Sequence, residues 1–295
     1  MNHQPTTTRL FISLPSLNSF LMALIKSISG IRGTIGGKTN DNLTPVDIVK
    51  FAAAYGSWIL QQSSNNKIVI GRDGRISGEM VSNLVANTLI GLGLHVVDLG
   101  LSTTPTVEMA VKFEEAAGGI ILTASHNPKE WNALKLLNSK GEFISGDEGK
   151  MILKSAEKED FKFAHVDKLG VYTKDESLLQ KHIDAVLKYE LVDIEAIKSK
   201  NFKIVVDAVN STGAIAVPAL LKELGVEDIV VLNEEVNGKF AHNPEPLPEH
   251  LKDLSNAVVK HKADLGIAVD PDVDRLCFVC EDGSMFGEEY TLVAV

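Results

Sequence analysis

Apolar runs and amphipathic stretches alternate along this chain, and their spacing predicts repeated strand–helix units. A helix is expected from Thr44-Pro45 toward Gln62, because proline suits the first helical turn. Residues 67–71 read as a strand ending on the turn Arg72-Asp73-Gly74-Arg75. Residues 78–92 read helical and lead to a strand at 95–98, and Pro105 opens a further helix. The buried strand Gly119-Ile120-Ile121-Leu122 comes next, and 141–144 suggest a short strand on a hairpin. The charged segment 154–174 then bridges to a helix near 178–189, its polarity favouring a domain boundary. A second unit restarts with a strand at 202–207, followed by a helix at 214–224 and strands at 229–232, 263–269 and 276–280. Such alternation favours an α/β fold of two successive sandwich domains, each a mixed, mostly parallel sheet covered by helices, with chemistry at strand ends.

Three polar clusters interrupt this pattern at strand ends. Thr123-Ala124-Ser125-His126-Asn127-Pro128 places a serine hydroxyl on a tight loop straight after a buried strand. Asn127-Pro128 keeps that loop out of helix, since the residue before proline is pushed to extended backbone. His126 adjoins the serine and Lys135 follows ten positions later, so the hydroxyl has cationic help nearby. The second cluster, Asp270-Pro271-Asp272-Val273-Asp274-Arg275, offers three carboxylates at alternate positions. Hard oxygen ligands of this kind suit Mg²⁺. An EF-hand fails here, because Arg275 stands where the sharp turn needs glycine and strands flank the loop. Arg275 beside three acids also suggests that the loop meets an anion. The third cluster, Ser29-Gly30-Ile31-Arg32-Gly33-Thr34, pairs close-approach glycines with an arginine fork that matches phosphate oxygens. A structural turn explains that cluster almost as well. Together the three describe phosphoryl transfer through a phosphoserine.

The residues carrying that chemistry resemble the α-D-phosphohexomutases, which include phosphoglucomutases, phosphomannomutases and phosphoglucosamine mutases. The matching stretches are 29–33, Gly71-Arg72-Asp73-Gly74-Arg75-Ile76-Ser77, 123–128 with Asn132-Ala133-Leu134-Lys135, Asn243-Pro244-Glu245-Pro246-Leu247-Pro248, and 270–275. They occur in the family's order and cover the chain from about Lys26 onward. The resemblance implies that Ser125 is phosphorylated and that Asp270, Asp272 and Asp274 hold Mg²⁺ with a Ser125 phosphate oxygen. It implies that Arg275 and Arg32 contact phosphate or substrate, that Lys135 transfers a proton, and that His126 supports the serine loop. The implied reaction interconverts 1-phospho and 6-phospho sugars through a hexose bisphosphate that reorients. The sequence itself leaves two rivals: a metal-dependent phosphatase, and a noncatalytic phosphosugar-binding fragment.

Two departures from the family pattern stand out. Ala133 and Pro271 replace residues that are often glycine, although all three carboxylates remain and metal binding is expected to survive. The family implies four domains, whereas residues 287–292 only begin to suggest a new helix before Val295. The expected layout is therefore an extension at 1–21, a serine-loop domain at 22–175, a metal-loop domain at 176–285 and the opening of a third domain at 286–295, in a truncated chain.

Composition narrows the picture a little further. With 295 residues, 44% hydrophobic and 23% charged, the chain is long enough for about two domains. A net charge of −10 argues against general nucleic-acid binding, and no apolar run is long enough to span a bilayer. Cys277 and Cys280 form a Cys-x-x-Cys spacing inside an apolar strand with no second ligand pair, which reads as buried thiols in a reducing cytoplasm. Residues 1–21 faintly imitate a signal peptide but carry one basic residue and a proline-broken core, so Met22 looks like the natural start. The Arg72-Asp73-Gly74-Arg75 turn reads as knitted by its own salt bridge. Nothing in the sequence indicates an oligomeric state.

Overall fold

The computed structural model describes residues 24–27, 30–287, 290, 291 and 293. The readings placed on 1–21, Met22 and Ser29 lie outside them, as does much of the one placed on 286–295. In the N-terminal half, β1 (Ile25–Ser27), β2 (Gly30–Thr34), α1 (Pro45–Gln62), β3 (Lys67–Arg72), α2 (Gly78–Gly91) and β4 (His95–Leu101) come first. They are followed by α3 (Thr104–Phe113), β5 (Gly118–Leu122), β6 (Trp131–Leu137), α4 (Gly146–Lys158) and β7 (Tyr172–Lys174). Seven strands form one sheet in the order β1-β2-β6-β5-β3-β4-β7, parallel from β5 to β7 and antiparallel elsewhere. The C-terminal half contains α5 (Leu178–Leu187), α6 (Ile194–Ser199), β8 (Lys203–Asp207), α7 (Gly213–Glu223), β9 (Asp228–Leu232), α8 (Lys252–His261), β10 (Leu265–Val269) and β11 (Leu276–Cys280). Its four-stranded sheet runs β11-β10-β8-β9, with only the β10–β11 pair antiparallel.

The central strands are apolar throughout because both faces are covered. Ile68, Ile70, Ile120 and Leu122 pack toward α1, α2 and α4, while Val69 and Ile121 pack toward α3. The second sheet repeats the scheme, with Val205 and Ala268 facing α8 and Val206 and Ile267 facing α7. Alternate side chains of a strand point to opposite faces, so a doubly covered strand must be hydrophobic at every position. The two cysteines of β11 divide on the same rule. Cys277 packs with Val279 in the core beside α8, whereas Cys280 is only half-buried. They lie on opposite strand faces and cannot chelate or cross-link as a pair. Among the described residues, no helix is long and apolar enough to cross a membrane.

Two expectations change, and one sheet edge is added. The short strand expected at 141–144 is a turn with an isolated bridge from Phe143 to Leu137; the strand of that hairpin is β6. Polar Asn132 and Lys135 disguise it by interrupting its apolar positions. The charged segment 154–174 is not a linker throughout. Its first residues finish α4, whose Ile152 and Ala156 are buried beneath a charged outer face, and Tyr172–Lys174 is β7, paired with β4. The left edge of the sheet was also hidden, since glycines in β2 weaken any strand signal. Gly30 has φ +123 and a Cβ there would collide with the Leu134 carbonyl, so this close approach of β2 to its neighbour β6 needs glycine.

Candidate active site

The serine loop leaves the carboxyl end of β5 and turns sharply. Ser125 lies at φ 49, a left-handed conformation that costs a non-glycine residue roughly 1 kcal/mol or more. Local hydrogen bonds impose it. Thr123 Oγ1 accepts from the Ser125 amide at 2.9 Å and donates to Asp73 Oδ2 at 2.7 Å. Beneath the loop lies Arg75, 2% exposed. Its Nη1 donates to the carbonyls of Pro128 and Trp131, and its Nη2 to those of Ser125 and Asn127, at 2.5–2.9 Å. Nε completes the set on Asp73 at 2.9 Å. All five guanidinium protons are thus engaged, four of them on the backbone of one loop. The turn is indeed knitted by its own Asp73–Arg75 pair, but its larger task is to shape the serine loop.

The metal loop leaves the carboxyl end of β10 and meets the serine loop directly. The Ser125 hydroxyl donates to Asp270 Oδ2 at 2.6 Å across 145 residues of sequence. Asp270, Asp272 and Asp274 bring carboxylate oxygens within 4.8 Å of one another. Asp270 Oδ1 accepts from the amides of Asp274 and Arg275, curling the loop, and Val273 at its apex takes φ 60. The Pro271 carbonyl, at the position where glycine was expected, is clamped by Ser211 Oγ at 2.6 Å and Thr212 Oγ1 at 2.8 Å. Ser211 also accepts from the Gly74 amide, and a Cβ on Gly74 would stand 2.9 Å from Ser211 Cα. Thr104, at the start of α3, donates to Asp272 Oδ2 and takes the Asp272 carbonyl on its amide. The first unit therefore grips the aspartate loop directly through Ser125 and Thr104, and Gly74 meets its Ser211 clamp.

The electrostatics are those of a cation site. Burial, then repulsion from Asp272 and Asp274, raises the Asp270 carboxyl well above its ordinary range. Burial opposes ionisation of Asp272 too, but Lys135 and Thr104 outweigh it and hold this carboxyl low. Lys135 Nζ reaches Asp272 at 2.7 Å and Asp274 at 2.9 Å. Burial would discharge that ammonium; the two carboxylates prevail and raise its pKa. Asp272 Oδ1 is buried and has no hydrogen-bond partner among the described residues. Three hard donors, one with an orphaned buried oxygen, fit a divalent cation of the oxygen-preferring kind.

The remaining expected residues gather around this core. Arg32 and Lys135 line a cavity of about 70 Å³ with Ser125 and His126, and Arg32 Nε is buried without a partner among the described residues. His126 Nδ1 stands 3.5 Å from Ser125 Oγ, too long for a strong hydrogen bond. Burial, then Arg275, lowers its pKa and favours the neutral ring. Arg275 is turned toward Glu245 at 3.3 Å, at the side of the loop. Arg75, Thr104 and Ser211 were not anticipated in these roles. Their partners lie 50 to 168 residues away, so no local spacing signals them.

A supporting pair holds the loop that carries Glu245. His242 Nε2 faces Asp207 at 3.0 Å and Nδ1 faces the Asn243 carbonyl at 2.8 Å. Two acceptors require two N–H groups. Burial would lower the His242 pKa, but Asp207 and Asn243 outweigh it and raise it. The sign follows: this stabilisation is complete below the unfolded histidine value of about 6.5 and is lost as pH rises through the higher folded value. Urea unfolding from about pH 6 to about pH 9 should show that decline, and H242Q should flatten it; equal slopes in both proteins would remove His242 as the cause.

Comparison with known proteins bears on the same residues. Residues 24–163 match the family model "Phosphoglucomutase/phosphomannomutase, alpha/beta/alpha domain I", and 180–283 match the model for domain II. The chain is 35% identical over 267 residues to a phosphoglucomutase/phosphomannomutase of Thermococcus kodakarensis, covering 89% of the chain and 58% of that protein. A probable phosphoglucosamine mutase of Methanopyrus kandleri is also 35% identical, with 90% and 56% covered. Among solved structures, a phosphomannomutase-like protein of Thermus thermophilus superposes with a TM-score of 0.78 at 26% identity, covering 90% of the chain and 58% of that structure. A family protein of Burkholderia thailandensis gives 0.75 at 28%, covering 90% and 56%. The chain spans just over half the length of the curated relatives it matches.

Proposed function

This chain belongs to the phosphoglucomutase/phosphomannomutase family of phosphohexomutases, and from that premise we propose that it carries a phosphoryl group on Ser125. The observation that bears most weight is the 2.6 Å hydrogen bond seating the Ser125 hydroxyl on Asp270, inside a loop of three convergent carboxylates. Residues 22–175 would form the unit presenting the serine, and 176–285 the unit presenting the carboxylates. The whole protein is assigned the interconversion of 1-phospho and 6-phospho sugars through a hexose bisphosphate. The sugar class is that of the relatives: glucose, mannose or glucosamine phosphates. A cytoplasmic setting suits cysteines that share no strand face.

Asp270, Asp272 and Asp274 would hold Mg²⁺, with a phosphoserine oxygen beside them. When bound, Mg²⁺ offsets charge on the phosphoryl oxygens. The protein's own groups do the rest. The strained loop, fixed by Arg75 and Thr123, keeps Ser125 Oγ at the mouth of the Arg32 cavity. Arg32 has donors to spare for a phosphoryl oxygen. As Oγ bonds to phosphorus, the bond from phosphorus to the sugar oxygen breaks, and the serine proton must end on that oxygen. Lys135 lines the same cavity and is held charged, which suits it to give that oxygen a proton and regain one from the serine hydroxyl. His126, kept neutral beside the serine, supports the loop. Arg275 would turn from Glu245 to phosphate.

Intact-mass measurement tests this reading. Incubation with a hexose 1,6-bisphosphate and Mg²⁺ should add one phosphoryl group per chain, mapped to Ser125, and chelation should prevent it. A mass that stays unchanged although Mg²⁺ binds, or phosphate on another residue, would overturn the assignment.

A further inference from the structure

A larger cavity lies away from the serine. It measures about 590 Å³, within the range of small-molecule sites, and shares no lining residue with the Arg32 cavity. It opens at the carboxyl ends of β3, β4 and β7, where parallel α/β sheets ordinarily take ligands. Ile215 of α7 closes one rim from the second unit. The wall is continuous with the catalytic loops, because Ser102 stands two residues before Thr104, the group that grips Asp272.

An inventory of its polar groups shows what is still unspent. Asp98 is occupied: Oδ1 by the Gly100 amide at 2.7 Å, and Oδ2 by the Tyr172 hydroxyl at 2.8 Å and Ser82 at 3.4 Å. Asp175 accepts from the amide and hydroxyl of Ser177. Glu176 is paired with Lys174 at 2.6 Å. Three carboxylates are therefore satisfied from within. Arg72 is not. Among the described residues its half-buried guanidinium makes one bond, from Nη1 to the Asp73 carbonyl at 3.3 Å, and has no carboxylate partner. Ser102 is 6% exposed and its Oγ has no partner among the described residues. Glu79, in the first turn of α2, also has no ion-pair partner among them. Among the described residues, Arg72 and Glu79 thus lack ion-pair partners on the wall of a sugar-sized space, where Asp98 and Asp175 are met by hydrogen-bond donors alone.

We propose that this crevice is a second small-molecule site, taking a phosphorylated amine of sugar size, with phosphate on Arg72 and ammonium against Glu79. A planar guanidinium with four free protons matches phosphate oxygens two at a time. A ligand carrying phosphate alone meets Glu79 and Glu176 as repulsion, so the amine supplies selectivity. The site does not depend on the phosphoserine reading.

Amide chemical shifts of the chain, titrated with glucosamine 6-phosphate, test it. Saturable changes are expected at Gly100, Leu101, Ser102 and Lys174, with affinity at least about tenfold lower in R72Q. E79Q, a change at an exposed position, should weaken glucosamine 6-phosphate while sparing glucose 6-phosphate, which binds less well to the unmodified chain. Changes confined to 123–127, affinities indifferent to R72Q and E79Q, or no changes at all would each overturn the assignment. Because the readout is local to this crevice, its failure leaves Ser125 phosphorylation untouched, and the converse also holds.

Discussion

S125A should abolish incorporation of phosphate from a hexose 1,6-bisphosphate. The hydroxyl is the proposed phosphoryl acceptor, and alanine offers no nucleophile in its place. Folding should change little. Ser125 Oγ donates one short hydrogen bond, to Asp270, and a bond to an acidic group is worth about 1.5–3 kcal/mol at most. Mg²⁺ binding should persist, since the three carboxylates and their backbone supports are intact. S125G separates chemistry from strain. At φ 49 glycine relieves a left-handed conformation that alanine retains, so S125G should be at least as stable as S125A and equally inert. Mass spectrometry and urea midpoints on the same samples read both quantities. Phosphate added to S125A at the unmodified rate would end the phosphoserine mechanism.

The second large effect belongs to Arg75, which touches no reacting atom in this arrangement. R75M should cost about 3–5 kcal/mol, the usual consequence of breaking a buried pair from one side. Asp73 would be left with Thr123 and the residue-75 amide in a fully buried position, and four loop carbonyls would lose their donor. Burial already raises the Asp73 pKa against the pull of Arg75, so the variant's Asp73 should take up a proton on folding. R75K discriminates further. It keeps the charge, yet an ammonium has three donors and no planar fork with which to serve Asp73 and four carbonyls together. We expect R75K to fold with reduced stability and to load Ser125 at least about tenfold more slowly, with Mg²⁺ affinity nearly unchanged. If R75K matched the unmodified chain in loading rate, Arg75 would be structural filler under the loop and not its positioning residue.

The legible part of this protein followed from burial. Runs such as Ile68-Val69-Ile70 and Ile204-Val205-Val206 are apolar at consecutive positions because helices cover both sheet faces, and that pattern survives in one dimension. β2 and β6 were obscured for the opposite reason. They carry Arg32 and Lys135 to the Ser125 cavity, and these polar groups, with Asn132, spoil the periodicity that reveals a strand. α4 hid because its charged outer face resembles a linker.

The site divides in the same way. The serine loop and the alternate aspartates were readable locally, since each motif is contiguous and its chemistry is stated by residue type. Their meeting was implied by the strand-end placement of both loops and by the family resemblance; the tertiary structure supplies the contact itself. Sequence alone determined the α/β class and the two successive sheets, and it put forward the groups proposed to take a phosphoryl or a cation. Tertiary structure alone decided that Ser125 rests on Asp270, that Lys135 is held between two carboxylates, that Arg75 shapes the serine loop, and that Thr104 and Ser211 grip the aspartate loop. The reason is physical. Propensity and burial act between near neighbours in the chain, whereas a hydrogen bond spanning 145 residues exists only after two sheets have packed and brought their strand ends together.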